Sequence, residues 1–289
     1  MKSEISEISE MSPRSCRRPA PWVLGTLLVA LAGTTLSAAA QDRAPARERS
    51  GILFGAFIAS RDTQTRLDSG NGTGTSIDLE KDLGLASTTS VFRLEGYRWF
   101  GEKQRQRADF SWFRFARSST LPIEETIEFG DRVFQINTEI ETKNTQQILK
   151  ADYTFAALNR QRGFLGITAG FYIMDASLSL REKTLGTAET GDLTAPLPVV
   201  GLRGEYAISE RITLRGASQW FGYHTDTLDG SFRDSYIGAD YKLKPNTAIG
   251  LAYNDVIMKV GAQEVGSFEG ELSWGYEGWL LYLKHDFGR

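Results

Sequence analysis

Cysteine is almost missing from this chain. The single one, Cys16, lies in the N-terminal leader. The body after residue 40 therefore has no thiol, no disulfide and no cysteine-based metal site. Histidine is nearly as scarce: only His224 and His285 occur, too few and too far apart for a zinc site. The net charge is −3, so there is no basic field for nucleic acid to read. Beyond residue 40 no apolar run approaches the ~20 residues of a membrane-spanning helix. No G-x-S-x-G motif occurs, and Asp68-Ser-Gly-Asn-Gly-Thr73 lacks the remainder of a calcium loop. No cofactor is expected. These absences leave an exported β protein, either soluble or embedded in a membrane.

What is present begins with a targeting segment. Arg14, Arg17 and Arg18 precede the apolar run Trp22–Ala32, and Ala38-Ala39-Ala40 supplies an A-x-A cleavage site. Residues 1–40 read as a cleaved signal peptide, with Met11 as an alternative start. Residues 41–50 read as a short lead-in, and 51–289 as one β domain.

That domain repeats one hairpin pattern to its end. Period-two alternation predicts strands near 51–66, 88–101, 104–118, 143–157, 163–180, 196–208, 211–226, 231–244, 247–260 and 267–287. Connections after the second, fourth, sixth and eighth strands are tight, while 67–87, 119–142 and 181–195 are long. Short turns on one end and long loops on the other are the mark of a transmembrane barrel. The fold class is all-β: an antiparallel transmembrane β-barrel of about ten strands, with eight or twelve still open. The first strand is apolar on both faces over Ile52–Ile58, which leaves its register ambiguous. An extra hairpin near Gly275–Gly278 is a further option. Gly130-Asp131 predicts a two-residue hairpin turn within the second long connection. The run Ile77-Asp-Leu-Glu-Lys-Asp-Leu-Gly-Leu85 in the first long loop reads as an ordered loop against the barrel rim.

Alternation also assigns faces. Leu149, Ala151, Tyr153 and Phe155 share one side, as do Leu165, Ile167, Ala169, Phe171 and Ile173. These are candidates for the lipid face, with Tyr153, Tyr206, Tyr241, Trp220 and Trp279 for the aromatic girdles. The other side carries opposite charges two residues apart: Arg93/Glu95, Arg107/Asp109, Lys150/Asp152, Arg203/Glu205 and Asp240/Lys242. In a barrel these ten residues face the lumen. Groups shielded from water need partners, so a cross-strand ion-pair network is expected to fill the narrow interior.

The chain ends Gly278-Trp-Leu-Leu-Tyr-Leu-Lys-His-Asp-Phe287. Trp279, Leu281, Leu283 and Phe287 alternate before a terminal aromatic. This resembles the C-terminal signal of Gram-negative outer-membrane β-barrel proteins, although Gly288 and Arg289 follow it and His285 stands where an aromatic is usual. The resemblance implies a bacterial outer-membrane location with both termini periplasmic. It further implies contact with outer-membrane lipid and lipopolysaccharide, and biogenesis through periplasmic chaperones and the barrel-assembly machinery. The expected role is non-enzymatic, structural or surface-interacting through the extracellular loops. A small passive channel is the alternative. A third reading is a surface lipid-modifying enzyme or protease using His224 and Asp226, which share a face. Oligomeric state is not legible in the sequence.

Overall fold

The computed structural model describes residues 48–68, 74–224, 228–265 and 268–288. The expected signal peptide, most of the lead-in, and Asp226 lie outside the described residues. The strands are β1 (Ser50–Leu67), β2 (Ile77–Asp78), β3 (Thr88–Phe100), β4 (Gln106–Pro122), β5 (Ile127–Phe129), β6 (Arg132–Phe134) and β7 (Glu139–Arg160). They continue with β8 (Gly163–Glu182), β9 (Ala188–Ala207), β10 (Ile212–His224), β11 (Leu228–Lys244), β12 (Thr247–Val265) and β13 (Phe268–Phe287). Neighbours pair antiparallel in chain order, and β13 closes on β1 from Ser50↔Phe287 to Leu67↔Gly270. The result is a closed ten-stranded barrel, with β2 paired to the loop end of β1 beyond β3 and β5–β6 as a separate hairpin.

The register of β1 is now defined. Its odd residues, among them Leu53 and Phe57, point inward and are buried, while Ile52, Phe54 and Ile58 are exposed on the outside. β13 runs unbroken through Gly275–Gly278, so the optional extra hairpin there does not form. The expected long connection 181–195 is another correction. β8 continues to Glu182 and β9 starts at Ala188, leaving a connection of only 183–187. Pro196 and Pro198 argue against a central strand in the sequence, yet both sit within β9. Gly130-Asp131 does form its tight turn, between β5 and β6.

The strands are longer than a bilayer requires. β7 has 22 residues, whereas ~9–11 suffice to cross. Only the half toward the short turns is apolar outside. On β7, Leu149, Ala151, Tyr153 and Phe155 face out, followed toward the loop end by Gln147, Thr145, Lys143 and Glu141. On β13 the outward series Leu283, Leu281 and Trp279 gives way to Glu277. Trp279 meets Tyr253 edge-on, with ring centroids 5.1 Å apart, at that border. Exposed Ile, Leu, Phe and Trp in a continuous belt could not face water stably; lipid is the solvent they fit.

Candidate functional site: the filled lumen

Period two sends every second side chain inward, and the inward set changes character along the axis. Nearest the turns, Trp99, Ala156 and Phe164 form a small apolar cluster. The charged layer follows. Arg107 donates from Nε and Nη2 to Asp109 Oδ1 at 2.9 and 2.7 Å, and from Nη1 to Glu205 Oε1 at 2.6 Å. Arg203 Nη2 donates to Asp152 Oδ2 at 3.0 Å, and its Nη1 lies 3.5 Å from Asp109. Arg215 lies 3.5 Å from Glu205 and 3.8 Å from Asp240. Lys150 pairs with Asp234, whose other oxygen accepts from Asn254 at 2.7 Å. Arg93 pairs with Glu95 at 2.8 Å and donates to Asn254 Oδ1 at 2.7 Å. Tyr97, Tyr236 and Tyr282 supply hydroxyls to the same network.

The ten sequence candidates thus separate into groups. Arg93/Glu95 and Arg107/Asp109 meet within their own strands. Lys150 and Asp152 do not meet each other: each finds a partner on another strand, as do Arg203 and Glu205. Asp240 is engaged by Arg215, Tyr282 and Lys284. Lys242 stands apart from the network, exposed at the rim next to a register shift between Lys242 and Lys244. Three residues before the Pro245-Asn246 turn, it reaches water more easily than a carboxylate. The sequence reading missed Arg215 and Asp234, because Arg215 finds its carboxylates on the neighbouring strands β9 and β11 and Asp234 finds Lys150 across the lumen, none of them two residues away. Lys284/Asp286 did carry the spacing signal and joins the network at 3.5 Å.

Room inside is slight. A cavity of about 20 Å³ lies among Arg93, Arg107, Lys150 and Arg203, enough for roughly one water. Gly250 matters here, because a Cβ would sit 2.1 Å from the Tyr282 ring that crosses above it.

Above the charges lies an aromatic layer. Phe57, Phe113, Phe115, Tyr172, Trp274 and Tyr276 are all buried, and Phe57 meets Tyr276 edge-on at 5.3 Å. Arg61 stacks over Phe115, its Cζ 3.6 Å from the ring centroid, and donates to Gln146.

The loop end is shut by the connections themselves. Ile77, Leu79, Leu83 and Leu85 are buried against Leu67, Ile123, Ile127, Phe129, Phe134, Ile140, Leu178 and Leu180. The acidic–apolar run therefore folds into the mouth, going further than the rim packing expected of it. Its apolar residues fill the opening, and Glu80 reaches Arg117 at 2.5 Å and accepts the Thr63 amide at 2.9 Å. β2 anchors the segment by pairing Thr65↔Ile77 and Gln64↔Asp78.

His224 lies at the loop end of β10 with its side chain exposed. Its Nδ1 is 3.5 Å from Asp229. The pairing with Asp226 considered from the sequence falls outside the described residues. His285 Nδ1 lies 3.1 Å from Thr247 Oγ1, and its ring meets Phe287 edge-on. Trp279, Leu281, Leu283 and Phe287 all project from the outer face. Among the described residues, no group of three His, Cys, Asp or Glu is placed to hold a metal.

A closed antiparallel barrel with an apolar outer belt and a side-chain-filled interior has the fold of the small β-barrels of the Gram-negative outer membrane. No protein-family model and no curated protein sequence matches the chain. Among solved structures it is similar to the outer membrane protease OmpT from Escherichia coli, with a TM-score of 0.54 and 12% identity over 83% of this chain and 97% of that one. It is also similar to the translocator domain of the autotransporter NalP from Neisseria meningitidis (TM-score 0.42, 11% identity, covering 83% and 89%). OprG from Pseudomonas aeruginosa gives a TM-score of 0.33 and 9% identity, covering 85% and 99%. At these identities the likeness is one of fold.

Proposed function

We propose that this chain is a non-enzymatic outer-membrane barrel without an open pore, serving a structural or surface-interaction role at its loop end. One observation carries the reading: the inside is filled from end to end, by paired charges, then aromatic rings, then an apolar cap made of its own loops. In this reading residues 1–40 are removed on export and both termini face the periplasm. Trp279, Leu281, Leu283 and Phe287 form the signal read by the assembly machinery, with periplasmic chaperones escorting the chain beforehand. Lipid and lipopolysaccharide surround the belt. The part of the loops that meets a partner is their outer surface, where Val133, Ile136 and Leu185 are exposed.

The test is single-channel conductance of the refolded mature chain in a planar bilayer, with heat-shifted gel migration to confirm the fold. A folded, silent barrel is expected. Reproducible conductance steps from the unaltered protein would replace this reading with a channel. Removing lumen charge by Arg203→Ala with Glu205→Ala should introduce small steps where none existed. Hydrolysis of an added peptide or lipid, abolished by His224→Ala, would instead make it a surface enzyme.

A further inference from the structure

β9 is fully paired on one side only. Its β8 side is matched from Gly163↔Tyr206 to Arg181↔Ala188. Its β10 side is matched only from Thr213↔Ala207 to Trp220↔Val200. β10 itself continues to His224, paired there with Asp229 of β11. Continuing the β9–β10 register would set Gly222 beside Pro198 and His224 beside Pro196.

The ladder stops for a chemical reason. The Ala207 amide donates to the Arg162 carbonyl, on the β8 side, at 2.6 Å. Along an uninterrupted strand the amides point alternately to the two neighbours. Odd residues of β9 therefore face β8, and even residues face β10. Pro196 and Pro198 are even, and proline has no N–H. They remove two of the four amide donors that would have closed the wall at the Gly222–Pro198 and His224–Pro196 positions, leaving only the Gly222 and His224 amides directed at β9.

The seam begins at Trp220 and Val200, both exposed on the loop-side edge of the apolar belt. Pro196, Pro198 and Tyr223 are exposed along it, and the space where a Gly222 side chain would stand is open. Just inside, Leu197 and Val199 are buried and Phe221 packs on the aromatic core. Farther toward the loops the banks turn polar, with Thr194, Asp192 and His224 exposed.

A sheet edge left free at the border between the lipid belt and the headgroups is costly wherever its polar groups go unmet. Here the prolines have removed donors, and the banks are apolar below and polar above, matching a tail and its headgroup. We propose that the seam between β9 and β10 seats one hydrocarbon chain of an outer-leaflet lipid, continuous with the lipid-facing belt. The seat is independent of whether the lumen conducts, so bilayer conductance and lipid labelling fail separately.

The test uses the mature protein in vesicles of phosphatidylcholine bearing a diazirine on the acyl chain near the headgroup. Photolabel is expected on Leu197, Phe221 and Gly222 as well as on outward Trp220. The variant Pro196→Val/Pro198→Val restores both donors. It should raise amide-exchange protection at Gly222 and His224 and cut labelling of Leu197 and Phe221 several-fold. Should that variant fail to fold, Gly222→Leu fills the open space from outside and should lower the same labels. Label confined to Trp220 and Val200 would overturn the seat, as would labelling unchanged by Gly222→Leu.

Discussion

The middle of the lumen and its mouth are both closed to solvent, yet they are held by different physics. In the middle, Arg107, Arg203, Arg215 and Lys150 are desolvated and each faces a carboxylate from another part of the barrel wall. At the mouth, Leu79, Leu83, Phe129 and Phe134 are buried with scarcely a charge among them, apart from the Glu80–Arg117 pair beneath. Ion pairs are geometrically exacting and gain little net stability over well-packed apolar groups, but losing one partner is severe. Apolar packing tolerates approximate shape and loses stability in proportion to what is removed. The wall can hold a rigid network because its strands are paired on both sides. The mouth is built from connections, which suit the more forgiving packing.

The comparison can be broken most forcefully in the middle. Arg107→Ala removes the cation that Asp109 and Glu205 share and leaves each only its longer contact, to Arg203 and Arg215 at 3.5 Å. It should cost about 3–5 kcal/mol, measured by denaturant unfolding in lipid vesicles. Replacing the three groups together by apolar residues of similar volume should recover most of that loss; a triple variant as unstable as the single one would show that packing, not charge, holds the layer.

At the mouth, Leu79→Ala should cost about 2–5 kcal/mol at most, and less where the loop can settle into the space. The signature distinguishes the regions better than the size. The cap variant should keep the heat-shifted migration of a folded barrel while its 74–87 segment becomes cleavable by added protease. Loss of barrel migration in the cap variant would mean that the two regions are one cooperative unit.

The smallest effect concerns the surface of the cap. Asp78 is partly buried, which raises its pKa, but hydrogen bonds from the Lys81 ammonium and amide outweigh this and hold the carboxyl below the usual range. A depressed carboxylate contributes stability above its unfolded pKa of about 3.9, and that stability fades as pH falls through the lower folded value. Exchange protection of the Lys81 amide, which donates to Asp78 Oδ1 at 3.0 Å, should therefore persist at pH 5 and decline only below the usual carboxylate range. High salt should weaken the exposed Lys81–Asp78 contact and leave the Arg107 network unchanged.

Much of the fold was legible because a strand's period is strict. Leu165, Ile167 and Phe171 on one side and Arg203 on the other follow from counting by two. The lumen was legible only as a set of inward residues. Arg93/Glu95 resolves within its own strand, but Lys150 pairs with Asp234, 84 residues away, and no local spacing announces that. Lys242 shows the converse: correct spacing, but a rim position where water competes. The sequence reading starts this strand at Pro196 and takes 181–195 as loop, whereas β9 begins at Ala188 and carries both Pro196 and Pro198 within it. The structure shows that they spoil only the side that has no partner.

The sequence by itself determined the periodicity, the approximate strand count, the two long connections in the first half of the barrel, and which residues turn inward. Those follow from backbone geometry, which acts between near neighbours. Tertiary structure decided who pairs with whom across the lumen, that the Ile77–Leu85 run closes the mouth, and where the wall between β9 and β10 comes apart. Each of these depends on barrel closure, which brings groups distant in sequence within bonding range and withdraws them from the water that would otherwise have satisfied them.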